Sequence, residues 1–474
     1  MRSAEVAFLF RHALLRDAAY QLQLPGDRAR LHAQAFAAIE ALAGGRPPPI
    51  SLEPLAQSPT PPHSSDAWSS ELAGHARLAR EAAVGGARRD LESAEIVYVG
   101  RSALHSERLF RHDASLVAWL RLAGLLEGPD RGEALRRAAI VSEYAGGARD
   151  AAATVRRALE VFRAAGDRRG EGAAATTLAM FLHRLGRIDD AERLFEEALA
   201  LHRETLDRRF EAATLVNFAA LLHHLGRSQE SETAYRRALE LGRELGERRA
   251  EGAILGNLAA LLREAGRLDE SERLFAESLA LHRETGNRRA EGLMTGNLSG
   301  VYRETGRLDL AERADRDALA IHREVGNRRS EGISLGNLAG TFHSAGRLAE
   351  AEQAYRSALL IHREVDNPRS EGVALGNLAS VCGDMGRFEE GERLFEEAIS
   401  IHRELRHRRF EAIHLCDQAV LRIQAGLRAG AEESWRSGVA LLRELHEEAE
   451  LARKSASLLA ACARAGVAPL MIRG

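Results

Sequence analysis

The stretch EGAILGNLAALLREAGRLDESERLFAESLALHRETGNRRA, residues 251–290, decides the fold. Apolar residues recur at three- and four-residue spacing on both sides of Gly266, the signature of two amphipathic helices joined by a short turn. Gly266 stands where a left-handed residue ends the first helix, and Gly286 does the same for the second. Asn287 then falls where a side chain caps the next helix by accepting its free N–H groups, as do Asn327, Asp167 and Asp207 in neighbouring stretches. The unit repeats without insertion: Gly146, Gly186, Gly226, Gly266, Gly306, Gly346, Gly386, Gly426 and Gly466 lie forty residues apart. From Gly186 through Gly386 each of these glycines is followed by Arg.

One substitution tests the phase. In DNPRSEG, Pro368 follows Asn367, and proline is tolerated at the first helical position but not deep inside. First helices are therefore predicted at about 168–185 and every forty residues after, and second helices at about 188–204 and equivalents. Glu171, Glu211, Glu251 and Glu291 then lie at positive helix ends.

With this frame in place, the residues resemble the tetratricopeptide repeat family. Leu258, Ala259, Leu262, Gly266, Ser271, Phe275 and Ser278 occupy its signature positions, with Ala351, Tyr355 and Ala358 in a later unit. The NLA and GRxxEAE patterns look most like the long-repeat, kinesin-light-chain-like bacterial type. The resemblance implies an all-α fold, an α-solenoid of tandem helical hairpins wound into a right-handed superhelix with a concave groove. Residues 131–450 are expected to form eight units. The units starting near 131 and 411 are degenerate, the latter with Gln418 and Gly438 in place of the expected Leu and Ala, and residues 451–474 are expected to supply a capping helix and tail.

The first 130 residues leave this phase. Residues 1–43 are expected to form a helical segment in which Phe10, His12, Arg16, Asp17, Tyr20, Arg28, Leu31 and His32 resemble the region downstream of the nucleotide-binding domain in bacterial signal-transduction ATPases. No GxxxxGK[ST] loop accompanies it. Whether the front half was lost, the start codon is misassigned, or the ATPase is a separate chain stays open. Residues 44–68 hold seven of the 11 prolines and read as a disordered or extended linker. Residues 69–130 read as irregular helical hairpins.

Composition removes several function classes. A formal charge of -3 and a pI near 6.7 provide no global field for phosphate backbones, so nucleic acid is not expected as a partner. The apolar run near the N-terminus is too short to span a membrane. Three cysteines, Cys382, Cys416 and Cys462, lack CxxC or Cys/His spacing, which fits a reducing cytoplasm and indicates no zinc. No GxSxG, HExxH or other catalytic grouping stands outside the repeat, so neither an enzyme nor a cofactor is expected.

Three ladders could carry chemistry. His202, His282, His322, His362 and His402 recur near the ends of second helices. Units about 8–10 Å apart cannot easily share a metal with ligand bonds of about 2 Å, so a cation or donor near a helix C-terminus is the simpler reading. The Arg pairs from Arg168 and Arg169 to Arg408 and Arg409 are interleaved with Glu, which points to local neutralisation. The third ladder is Asn217, Asn257, Asn297, Asn337 and Asn377, in a residue type that disfavours helix interiors. Gly256, Gly296, Gly336 and Gly376 directly precede four of these, each costing roughly 0.5–1 kcal/mol against Ala. Close approach of another backbone would explain them, whether a neighbouring helix or a ligand. In the resembling family these Asn face the groove and hydrogen-bond an extended peptide. Arg263, Arg303 and His343 stand on the expected rim, which carries mixed charge. With Gly at key positions and no Lys beside the Asn, a carboxylate clamp for chaperone tails is disfavoured. The expected function is a scaffold binding an extended protein segment, a signalling ATPase being one candidate partner. The alternative is the ligand-sensing arm of a split or truncated signal-transduction ATPase or transcriptional regulator.

Overall fold

The computed structural model describes residues 24–53, 60–144 and 147–470, and among these every regular element is a helix. The chain divides into two compact units, residues 1–221 and 222–474. The expected residues Phe10, His12, Arg16, Asp17 and Tyr20 lie outside the described part.

In the first unit, helix Pro25–Leu42 opens with Pro at its first turn, where the missing N–H costs nothing. Helix Gly85–Arg108 is the longest element of this unit and anchors the proline-rich stretch. Ile50 fills the space left by Gly100. The Arg101 guanidinium, almost fully buried, donates to Asp66 at 2.7 Å and to the Pro61 carbonyl at 3.0 Å. Proline removes donors and so leaves carbonyls free, and here a buried arginine satisfies one of them. Residues 44–53 and 60–63 thus carry no regular structure yet are held at specific points, and Ser64–Trp68 forms a short 3-10 turn. Tyr98, Trp119, Phe162, Phe181 and Phe195 run through one continuous core.

From Gly128 onward the helices pair, and from Arg168 the pairing is strictly periodic: Arg168–Arg184 with Ile188–Glu204 in the first unit, Arg248–Glu264 with Leu268–Glu284 in the second. The helices match the sequence-predicted spans to within one residue. The turns explain why. Gly266 adopts φ 76°, its N–H bonds to the Arg263 carbonyl at 3.0 Å, and the Arg267 N–H reaches the Leu262 carbonyl at 2.9 Å. This is a left-handed helix stop that satisfies the orphan carbonyls. Asn287, Asn327, Asp167 and Asp207 cap the next helices as expected, accepting from Ala290, Ser330, Gly170 and Phe210. Pro368 is the first residue of its helix. Where the second-helix stop is not glycine, Leu206, Asp366, Arg406 and His446 are forced to φ between 47° and 56°, at a cost of roughly 1 kcal/mol apiece.

Charge is neutralised along the array. Arg243, Arg283, Arg323 and Arg363 each bridge to the first turn of the following helix, at Glu251, Glu291, Glu331 and Glu371. Arg248, Arg288 and Arg328 close their own hairpins onto Glu284, Glu324 and Glu364. Glu251, Glu291 and Glu331 are buried under their arginines, whereas the hairpin-closing pairs are exposed on both sides and contribute about 0–1 kcal/mol each, fixing register more than stability. The C-terminal helix Glu448–Ala465 packs on Arg408–Gln424, with Leu458, Ala461 and Cys462 in a shared core.

Candidate groove on the first helices of the second unit

Successive first helices pack against one another: Arg248–Glu264 on Arg288–Glu304, that helix on Arg328–Ser344, and that on Pro368–Asp384. Successive second helices stand farther apart and are spanned by long side chains, as in the ion pairs Arg236–Glu270, Arg243–Glu277 and Arg356–Glu390. The first helices therefore line the inner side of the second unit, and the Asn ladder lies on them. Asn257 is exposed, and Asn297, Asn337 and Asn377 are half-buried. Their side-chain amides form no hydrogen bond with other described residues. Asn217, in the first unit, instead donates back to the Ala213 carbonyl at 2.9 Å. The four amides of the second unit are thus uncommitted.

The four glycines before these Asn split into two kinds. A Cβ at Gly256 would run into the Met294 sulfur, and one at Gly376 into the His414 ring. A Cβ at Gly296 would meet nothing nearer than Ala318 at 3.7 Å, and one at Gly336 nothing within 4 Å. Packing between neighbouring first helices explains the first pair and leaves the second pair open. The opening at Gly336 belongs to a cleft of about 420 Å³ lined by Arg303, Ile333, Asn337, His343, Tyr355 and Asn377, among others. The cleft brings four of the expected site residues together.

Arg263 and Arg303 do not simply project from a rim. Each reaches over the next unit towards the main-chain carbonyl of Asn297 or Asn337, at 3.5 and 3.4 Å. Gly300 and Gly340 make room for them, since a Cβ at Gly340 would lie 2.8 Å from the Arg303 guanidinium. Where the rim residue is His343, the matching position is Ser380 instead of glycine, and His343 pairs with Asp384 at 2.8 Å. That hydrogen bond holds the Asp384 carboxyl below its ordinary range. Three repeats earlier His223 bonds Glu264 at 2.9 Å, which raises the imidazole and lowers the carboxyl.

The histidine ladder is corrected by the structure. His202, His282, His322, His362 and His402 are almost fully buried, and burial holds each below its ordinary pKa, His202 and His402 at about 4. They are neutral packing groups and not helix-terminal cations. Each ring lies on a glycine thirty residues upstream: a Cβ at Gly172, Gly292, Gly332 or Gly372 would come within 2.8 Å of the ring, and one at Gly252 within 3.0 Å. Where that position is Ala212 or Ala412, the ladder holds Gly242 or Leu442. Among the described residues, no group of His, Cys, Asp and Glu is placed to hold a metal ion.

Two features escaped the sequence reading. The aromatic column Phe195, Tyr235, Phe275, Tyr355, Phe395 and Trp435 is broken by Asp315, which is fully buried. Thr341 donates to its Oδ2 at 2.7 Å, Oδ1 has no partner, and desolvation pushes the carboxyl up to about 6. The second feature is an apolar row one helical turn before the Asn row. Leu293 and Ile333 are 51% and 43% exposed, and Val373 follows in the cleft. Reading the repeat by columns would have found both.

Models described as tetratricopeptide repeat match residues 170–244, 210–284 and 289–364, and a further one matches residues 373–406. These are tetratricopeptide repeats. No curated protein gives a significant match. Among solved structures, the repeats resemble a signal transduction ATPase with numerous domains that carries a tetratricopeptide repeat sensor, from Pyrococcus horikoshii. The identity is 16% and the TM-score 0.52, and the alignment covers 72% of this chain but only 53% of that one. A Rap protein complexed with Competence and Sporulation Factor is 13% identical over 80% of this chain and 99% of its own, with TM-score 0.52. The apo form of the quorum sensor NprR from B. thuringiensis is 12% identical over 72% and 96%, with TM-score 0.52. At these identities the likeness concerns the fold. No helix among the described residues is long and apolar enough to cross a membrane.

Proposed function

We propose that the repeats are a scaffold whose groove in the second unit binds an extended segment of another protein. The observation that carries this reading is the row of uncommitted amides at Asn257, Asn297, Asn337 and Asn377, standing beside open space at Gly336. An amide offers one acceptor and two donor hydrogens, which is what a main chain outside regular structure leaves unsatisfied. Arg263, Arg303 and His343 flank the row and hold successive units in register. That a Rap protein of this fold is complexed with Competence and Sporulation Factor, and that another neighbour is a quorum sensor, agrees with ligand capture by such an array. The test is a crosslinking pull-down with the wild type and with Asn257→Ala, Asn297→Ala, Asn337→Ala combined. The expected result is loss of the captured partners at unchanged helicity by circular dichroism. An identical partner set would end the proposal.

A second reading, a ligand-sensing arm of a signal-transduction ATPase or transcriptional regulator, draws on the neighbour with a tetratricopeptide repeat sensor and on Arg28, Leu31 and His32. It predicts that the chain co-purifies with a nucleotide-hydrolysing polypeptide. Absence of such a partner from stoichiometric complexes would remove it.

A further inference from the structure

The amide row and the apolar row run in parallel, since Leu293, Ile333 and Val373 each lie four residues before Asn297, Asn337 and Asn377, on the same helix face. A ligand lying along the groove meets one apolar side chain and one amide per unit. Directly packed helices lie about 8–10 Å apart. A polyproline II segment repeats its side-chain direction every three residues, a rise of about 9.3 Å, and leaves its main chain unbonded. A β-strand repeats every two residues, about 6.6 Å, and falls out of step. An α-helix presents a matching seven-residue period of about 10.5 Å, but its main chain is already bonded and would leave the amides idle.

Charge narrows the choice further. Arg263 lies 3.7 Å from Glu304, His343 is paired with Asp384, and Lys454 is bonded to Asp417 where the Asn column ends. Arg303 is held instead by the Asn337 carbonyl at 3.4 Å. Arg263, His343 and Lys454 thus have counter-charges within the chain, so an ionic ligand would have to displace them. An uncharged one would not.

We infer that the groove takes an uncharged segment in polyproline II conformation with an aliphatic or aromatic side chain at every third residue. These side chains seat on Leu293, Ile333 and Val373 while Asn297, Asn337 and Asn377 hold the main chain. This inference rests on the groove reading above and adds the ligand's period, conformation and charge.

The test is a displayed library of random twelve-residue peptides panned against the full chain. Enriched peptides are expected to carry apolar residues with a period of three and few charges. Their capture should fall at least tenfold on Leu293→Glu with Ile333→Glu, and also on the gentler Leu293→Ser with Ile333→Ser if the acidic pair lowers helicity. Enrichment of a seven-residue or two-residue apolar period, or of charged peptides, overturns the inference and leaves peptide binding standing. No enrichment over an unrelated helical protein overturns both.

Discussion

Gly336 and Gly376 occupy the same position of adjacent repeats and do opposite things. A methyl group fits into open space at the first and collides with His414 at the second. The same contrast separates Gly296 from Gly256. The residue that decides lies thirty-eight positions downstream, on the next first helix: Met294 and His414 beside the filled notches, Ser334 and Ala374 in the same column beside the open ones. Glycine in this column is therefore required by packing only where its downstream counterpart is large. Where that counterpart is small, the missing side chain leaves room in the groove.

The side chain that fills the Gly376 notch also provides the largest way to separate the two regions. His414 packs with His402, and His402 with His407; burial is the leading cause that lowers all three, His402 and His407 to about 4. Arg369, bonded to His407, adds to the lowering. A folded-state pKa below the unfolded value of about 6.5 means that the unfolded chain binds more protons as acid is added. The stability of this region is thus complete above pH 6.5 and declines as the pH falls towards 4. For His402, held at about 4, roughly 2 kcal/mol is lost between pH 6.5 and 5, at about 1.4 kcal/mol per unit. Hydrogen exchange at pH 7 and 5, corrected for the intrinsic rate, should show helices Pro368–Asp384 and Arg408–Gln424 losing protection before Arg328–Ser344. Equal loss in all three would mean that the imidazole cluster is no special weak point.

Next in size is Gly376→Ala. Overpacking against a fully buried ring is expected to destabilise by about 1–3 kcal/mol, read from urea unfolding. His414→Ala in the same chain should recover much of it, because the two residues share one space and their effects are not additive. A double variant as unstable as the sum of the singles would show that the collision is not what Gly376 avoids.

How much of this could be read from sequence depended on range. The hairpins were legible because their signals are local: a left-handed stop at Gly266, a cap at Asn287 and Pro368 at a first turn each act within a few residues. The Asn row was legible for the same reason, being costly inside a helix wherever it occurs. The purpose of the glycines was not, since it is set by Met294 or His414 in another unit. The histidine ladder was misread because a residue near a helix end suggests a charge. Only the pairing of each His with a glycine thirty residues earlier betrays that the ring is buried. Asp315 went unnoticed because its column, and not its neighbourhood, makes it unusual. Long-range pairing leaves a trace in a periodic chain as covariation between columns, which a single unit cannot display.

The smallest expected effect is the most discriminating. At Gly336 the backbone is helical, no described residue beyond its chain neighbours and its own helix backbone lies within 4 Å of an added methyl, and mid-helix glycine is unfavourable against alanine. Gly336→Ala should therefore stabilise the fold by roughly 0.5–1 kcal/mol, the reverse of Gly376→Ala. It should also weaken whatever peptide the library selects, because the methyl projects into the cleft beside Asn337. A gain in stability coupled to a loss of binding is the pattern expected when a helix position is kept suboptimal for a ligand. Destabilisation comparable to that at Gly376 would place a close neighbour where the geometry shows none and erase the distinction between the two glycines. A gain in stability with unchanged binding would retain the packing argument and move the ligand away from Gly336.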